Sequence, residues 1–113
     1  MHELKIAEDL KDIVLEAASR GNLKKVTRVN LTFGQMVQIV PEIFQFAFTE
    51  CVRDTSAEGT EVTIEIVPVK MTCNECGTIF IVKDNMFACH KCGSADLKII
   101  NGRELFVKSI EGE

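Results

Sequence analysis

Between Glu3 and Arg20 the apolar residues Ile6, Leu10, Ile13, Val14, Ala17 and Ala18 recur at spacings of three and four, while Lys5, Glu8, Asp9, Lys11, Asp12 and Glu16 occupy the other side. That period predicts an amphipathic helix with one buried face. Carboxylates crowd its first turns, where the helix dipole favours them, and Gly21-Asn22 supplies a stop. From Lys25 to Phe33 the period drops to two, with Val29, Leu31 and Phe33 on one face and Arg28, Asn30 and Thr32 on the other. A strand with one wet side reads this way.

Gly34 closes that strand, and Pro41 then stands where the first turn of a helix accepts it. In the EIFQFAFTECVRD run that follows, Ile43, Phe44, Ala47, Phe48, Cys51 and Val52 form a wide apolar stripe, and its three phenylalanines are expected to be core mass. Cys51 falls inside the stripe, towards the helix C-terminus where the dipole opposes a thiolate, so it is read as a packing residue. Alternation returns from Thr60 to Val69, with Val62, Ile64 and Ile66 inward and Pro68 at the exit from the ladder. Lys98–Ile100 and Glu104–Ile110 predict two more strands around Asn101-Gly102, a strong hairpin signal.

These elements define an α+β chain: two helices packed on a small sheet of about three strands, interrupted by an insert. At 113 residues and 46% apolar content the chain can bury one modest core. We expect a discontinuous α/β domain, residues 1–69 plus 99–113, and a separate insert, residues 70–98.

The insert holds four of the five cysteines. Cys73 and Cys76 stand in CNEC and Cys89 and Cys92 in CHKC, with the twelve residues from Gly77 to Ala88 between the pairs. Each C-x-x-C places two sulfurs on one tight turn, and two such turns face to face supply the four soft ligands of tetrahedral zinc. Gly77 and Gly93 each follow the second cysteine of a pair, where a chain turning under its metal needs positive φ or a close backbone approach. TIFIV reads as a short strand and the DN that follows it as a turn, giving a zinc-ribbon pattern. Iron in a rubredoxin-like site is the main competitor, disfavoured by a chain without Trp or Tyr. A disulfide framework suits secreted chains, and no basic-then-apolar leader opens this one, so reduced cytoplasmic thiols are expected. Four thiolates leave no open coordination position, so the site is expected to hold structure and do no chemistry.

Charge narrows the function further. Residues 1–69 carry 7 basic and 11 acidic side chains and residues 70–113 carry 6 of each, for a net charge of −4. A nucleic-acid footprint would be basic on at least one face, so the commonest use of zinc ribbons is disfavoured. No apolar run approaches the ~20 residues of a membrane span. Two histidines and no H-E-x-x-H cluster leave little for a metalloenzyme.

Sharper chemistry lies at the chain start. The terminal amine, the amide nitrogen and ring Nδ1 of His2 and the amide of Glu3 can close fused chelate rings around one ion. Tetragonal nitrogen donors suit Ni(II) or Cu(II).

The MHE start with its amphipathic helix, the strand closing in Gly34, PEIFQFAF, EGTEVTIEIVP, the two C-x-x-C knuckles and the terminal GRELFVKSIE together resemble the HypA/HybF family of hydrogenase nickel-incorporation metallochaperones, from end to end. The resemblance implies Ni(II) as transferred cargo at Met1, His2 and Glu3, and structural Zn(II) at Cys73, Cys76, Cys89 and Cys92. It implies a HypB-type GTPase and the nickel-iron hydrogenase large-subunit precursor as partners, and leaves open whether urease is supplied as well. Nucleic acid and membrane are not implied, and monomer and homodimer both stay open. Two departures stand out: CHKC where the family more often has proline after the first cysteine, and Gln35 where an acidic residue is common. His90 is expected to be a non-ligand because the shell is already full. A zinc-stapled interaction adaptor without nickel transfer is the rival reading.

Overall fold

The computed structural model describes residues 3–113; Met1 and His2 lie outside the described residues. The chain runs α1 (Glu3–Arg20), β1 (Val26–Gly34), a short 3-10 turn (Gln35–Val37), α2 (Pro41–Cys51), β2 (Glu61–Val67), β3 (Lys70–Cys73), β4 (Ile79–Ile81), β5 (Leu97–Asn101) and β6 (Leu105–Gly112). Its strands form two three-stranded sheets, β2-β1-β6 and β4-β3-β5. In the first, β1 pairs parallel with β2, as a strand-helix-strand crossover through α2 requires, and antiparallel with β6. In the second, β3 pairs antiparallel with both neighbours. The two helices and the first sheet make the expected α+β body.

One face of β1 and the inner sides of both helices enclose the core. Phe33, Phe44 and Phe48 are its largest members, with Val14, Val26, Val29, Leu31 and Val52 around them. Phe33 meets Phe44 edge-on with ring centroids 5.0 Å apart, and Phe44 stacks on Phe48 at 5.7 Å. Both geometries suit the ring quadrupole.

Several inward assignments shift. On α1, Ala7 is buried and Ile13 exposed, because the buried stripe follows positions 6, 7, 10, 14 and 18. On α2, Ile43 and Phe46 face outward, Phe46 at 72% exposure, so only two of the three phenylalanines are core. Cys51 is half-buried against the core, and burial first, then the Glu8 carboxylate, pushes its thiol above the ordinary value. Ile66 is exposed towards the end of edge strand β2. Thr32, assigned to a wet face, is only 3% exposed. It sits on the central strand with Glu65 and Phe106 as its pairing neighbours, and its hydroxyl donates to Glu65 Oε1 at 3.4 Å.

The expected hairpin at Asn101-Gly102 does not form, since β5 pairs with β3 and β6 with β1. The glycine's positive φ, +121°, serves a crossing between sheets instead. A Cβ on Gly34 would lie 2.1 Å from the Gly102 backbone, so two glycines let β1 and the β5–β6 connection touch main chain to main chain. Gly34 N–H donates to Glu104 O at 2.6 Å, and Met36 N–H to Gly102 O at 2.8 Å. Short as it is, this joint fastens the ribbon to the end of β1.

Candidate metal centre

The ribbon's two knuckles are built alike. After β3, Cys73 N–H donates to Thr78 O at 2.9 Å and Gly77 N–H to Cys73 O at 2.9 Å. In the second, Cys89 N–H donates to Ser94 O at 2.8 Å and Gly93 N–H to Cys89 O at 2.9 Å. Gly77 and Gly93 take φ +77° and +75°, as turns under a metal demand. Each first cysteine also receives the N–H of the second: Cys76 to Cys73 Sγ and Cys92 to Cys89 Sγ, both at 3.5 Å. Between the knuckles the strand forms as β4, and Asp84-Asn85 takes positive φ at both residues.

These turns bring the four sulfurs within 4.8 Å of one another. Cys73 and Cys92 Sγ are 3.6 Å apart, and Cys76 and Cys89 Sγ 3.5 Å. Metal–sulfur bonds of ~2.3 Å in a tetrahedron separate sulfurs by about 3.8 Å, so the donor set fits a closed tetrahedral ion such as zinc. Cys73 and Cys89 are buried and Cys76 and Cys92 exposed, so one edge of the tetrahedron faces the ribbon core and the other solvent.

The electrostatics of the four thiols favour a cation among them. The Thr78 hydroxyl, 3.1 Å from Cys76 Sγ, together with the Thr78 backbone pulls that thiol down to about 6. The Cys92 N–H, with that of Lys91, lowers Cys89. The Ser94 backbone favours a Cys92 thiolate too, yet its bond to Cys73, burial and the sulfurs of Cys89 and Cys76 outweigh this and push it up to about 12. Neighbouring thiolates repel, and the last proton is held between them; a divalent ion removes that repulsion. Thr78 and Ser94 were not singled out from the sequence. The signal was there, because each is the hydroxyl residue directly after a knuckle glycine, in CGT and CGS.

His90 is not part of the sulfur cluster; its ring packs on Phe80, centroids 4.4 Å apart. Gln35 opens the 3-10 turn and lines a cleft of about 450 Å3 between the body and the ribbon, with Met36, Val69, Val82, Asp84 and Phe87 among the other walls.

Of the other expected metal residues, Met1 and His2 lie outside the described residues, and Glu3 opens α1. The Glu3 carboxylate accepts the Val40 N–H at 3.2 Å, one residue before α2, so it ties the starts of the two helices together. Glu3 and the sulfur cluster therefore belong to different parts of the fold, one where the two helices start and one in the ribbon.

A helix-and-sheet body carrying a four-cysteine ribbon is the architecture of a small metal-handling protein. The profile described as "Hydrogenase/urease nickel incorporation, metallochaperone, hypA" matches residues 1–112. The chain belongs to the HypA family. Hydrogenase maturation factor HypA of Desulfatibacillum aliphaticivorans is 41% identical over 112 residues, 98% of this chain and 86% of that protein. Its counterpart in Caldanaerobacter subterraneus subsp. tengcongensis is 35% identical over 114 residues, covering all of both chains. The solution structure of the Ni metallochaperone HypA from Helicobacter pylori superposes with a TM-score of 0.71 at 24% identity, covering 99% of this chain and 97% of that one, which establishes the shared fold.

Proposed function

We propose that this chain is a nickel carrier: it binds Ni(II) through Met1, His2 and Glu3 at its amino terminus and, with a HypB-type GTPase, passes the ion to the immature large subunit of nickel-iron hydrogenase. The observation that carries this reading is the family match, which begins at residue 1 and so includes the MHE start. Nothing is catalysed: the reaction is exchange of ligands around a cargo ion. A site at a chain end, half built from backbone nitrogen, can be approached by a competing ligand set, and a carrier must release as well as bind. The Glu3 contribution is its amide nitrogen, which leaves its carboxylate to Val40.

Cys73, Cys76, Cys89 and Cys92 would hold a structural zinc, which supplies folding free energy to the ribbon. We keep a body of residues 1–69 with 99–113 and a ribbon of residues 70–98 as the proposed division, with β5 carrying the chain across the second boundary. We place the work in the cytoplasm, in line with reduced thiols.

The test is a nickel titration of zinc-loaded protein with its native amino terminus, beside His2→Ala. Stoichiometric binding lost in the variant is the expected result. Because the donors must be deprotonated, and free imidazole and α-amine titrate near ~6.5 and ~7.7–8.0, affinity should fall as pH drops below neutral. Weak and equal binding by both proteins would return the chain to the zinc-stapled adaptor.

A further inference from the structure

Beside the chain start, α1 and α2 leave a shallow groove of about 370 Å3 lined by Glu3, Leu4, Ile43, Phe46, Ala47 and Glu50. Leu4 is 56%, Ile43 54% and Phe46 72% exposed, the last being the most exposed large apolar side chain among the described residues. Nothing in the fold needs them there, since Phe44, Phe48 and Ala7 already close the helix–helix contact. Apolar side chains gathered beside a functional end mark a protein-binding site.

The rim tells what kind. Glu42, Phe46 and Glu50 stand at intervals of four along α2, so the ring lies between two carboxylates on one helix face. Glu3 lines the groove from α1, and Glu8 lies one turn beyond Leu4. Against these four carboxylates stand Arg53, which pairs with Glu50 at 3.5 Å, and Lys11, so the surround stays acidic. A twofold contact with a second copy would set Glu42 and Glu50 against their own mates, a like-charge arrangement that disfavours self-association here.

We propose that this groove seats a segment of the protein that exchanges nickel with the chain start, one that offers an apolar anchor side chain between Lys or Arg residues. The inference rests on the nickel-carrier reading, in which that protein is the GTPase. Docking there brings the partner's own ligands next to Glu3, through which the chain start joins α1. The apolar contact supplies the affinity and the acidic rim the orientation and on-rate.

The probe is the purified GTPase of the same organism, titrated calorimetrically into the native-terminus protein, Phe46→Ser, Ile43→Ser and the double variant Glu42→Lys/Glu50→Lys, at low and high salt. Both groove variants should weaken Kd by about tenfold or more, since a desolvated anchor is lost. The double variant should bind weakly at low salt and lose the salt dependence that the native protein shows. Phe46 and Ile43 are solvent-facing, so folding is kept, and nickel titrations of the same samples should be unchanged. An unaltered Kd in Phe46→Ser overturns the proposal. So does a native dimer in sedimentation that Phe46→Ser dissociates, which would assign the groove to a second copy. A GTPase that ignores the native protein overturns it together with the partner assignment, while the nickel titration reads the carrier hypothesis separately.

Discussion

The body and the ribbon are both three-stranded sheets with an apolar side, yet they are held together by different physics. The body's core contains three phenylalanine rings and five further large side chains that are almost wholly buried. In the ribbon the buried set is Val69, Met71, Cys73, Phe80 and Cys89, and two of those five are sulfur donors. Around it Ile79, Ile81, Met86 and Phe87 stay exposed, because a sheet of short strands has no helix to cover its outer face. Burial of apolar area can stabilise the first and falls short for the second, whose stability would rest on an ion held by its four thiols.

The sharpest break in the comparison is metal removal. Stripping the cysteine site with a strong chelator should abolish amide dispersion for β3, β4 and β5 in an NMR spectrum while the resonances of α1, α2 and β1 persist. Simultaneous loss of both sets would show one cooperative unit. The mirror experiment is Phe44→Ala, which deletes a ring in contact with Phe33 and Phe48. It should cost about 3–5 kcal/mol of body stability in denaturant titration. The zinc-binding affinity of the ribbon, measured under native conditions, should not follow.

Sequence patterns carried the body well where one period dominated. Helix α1 ends where the apolar period and the glycine stop put it, and the knuckles, their glycines and the strand between them read directly from spacing. Periodicity misjudged residues whose burial depends on a neighbour that the pattern does not contain. Phe46 has the side chain of a core residue but no element above it, and Thr32 has the polarity of a surface residue but sits on a central strand paired on both sides, by Glu65 and Phe106. Asn101-Gly102 misled for a related reason: the glycine's permissive φ was legible, but whether it closes a hairpin or passes between sheets depends on Gly34, far away in sequence. Thr78 was within reach through its repetition as Ser94, whereas the bond from Val40 to Glu3 leaves no local trace.

The gentlest probe acts on the joint itself and asks whether body and ribbon are coupled at all. Gly34 has φ −77° and ψ 147°, ordinary extended values, so alanine there brings no backbone strain. Its Cβ would instead meet the carbonyl carbon and oxygen of Gly102 at 2.1 Å and Arg103 N at 2.6 Å, all main chain that cannot rotate aside. Gly34→Ala should therefore push the β5–β6 connection off the end of β1 at a cost of about 1–3 kcal/mol, the range for overpacking. Hydrogen exchange should report it locally: the Gly34 and Met36 amides, bonded to Glu104 O and Gly102 O, lose protection first. The four cysteines are not part of this contact, so zinc affinity should hold. If nickel affinity falls along with those two amides, orientation of the ribbon reaches the proposed nickel site through β1; if it does not, the joint is a fastening and the two modules work independently.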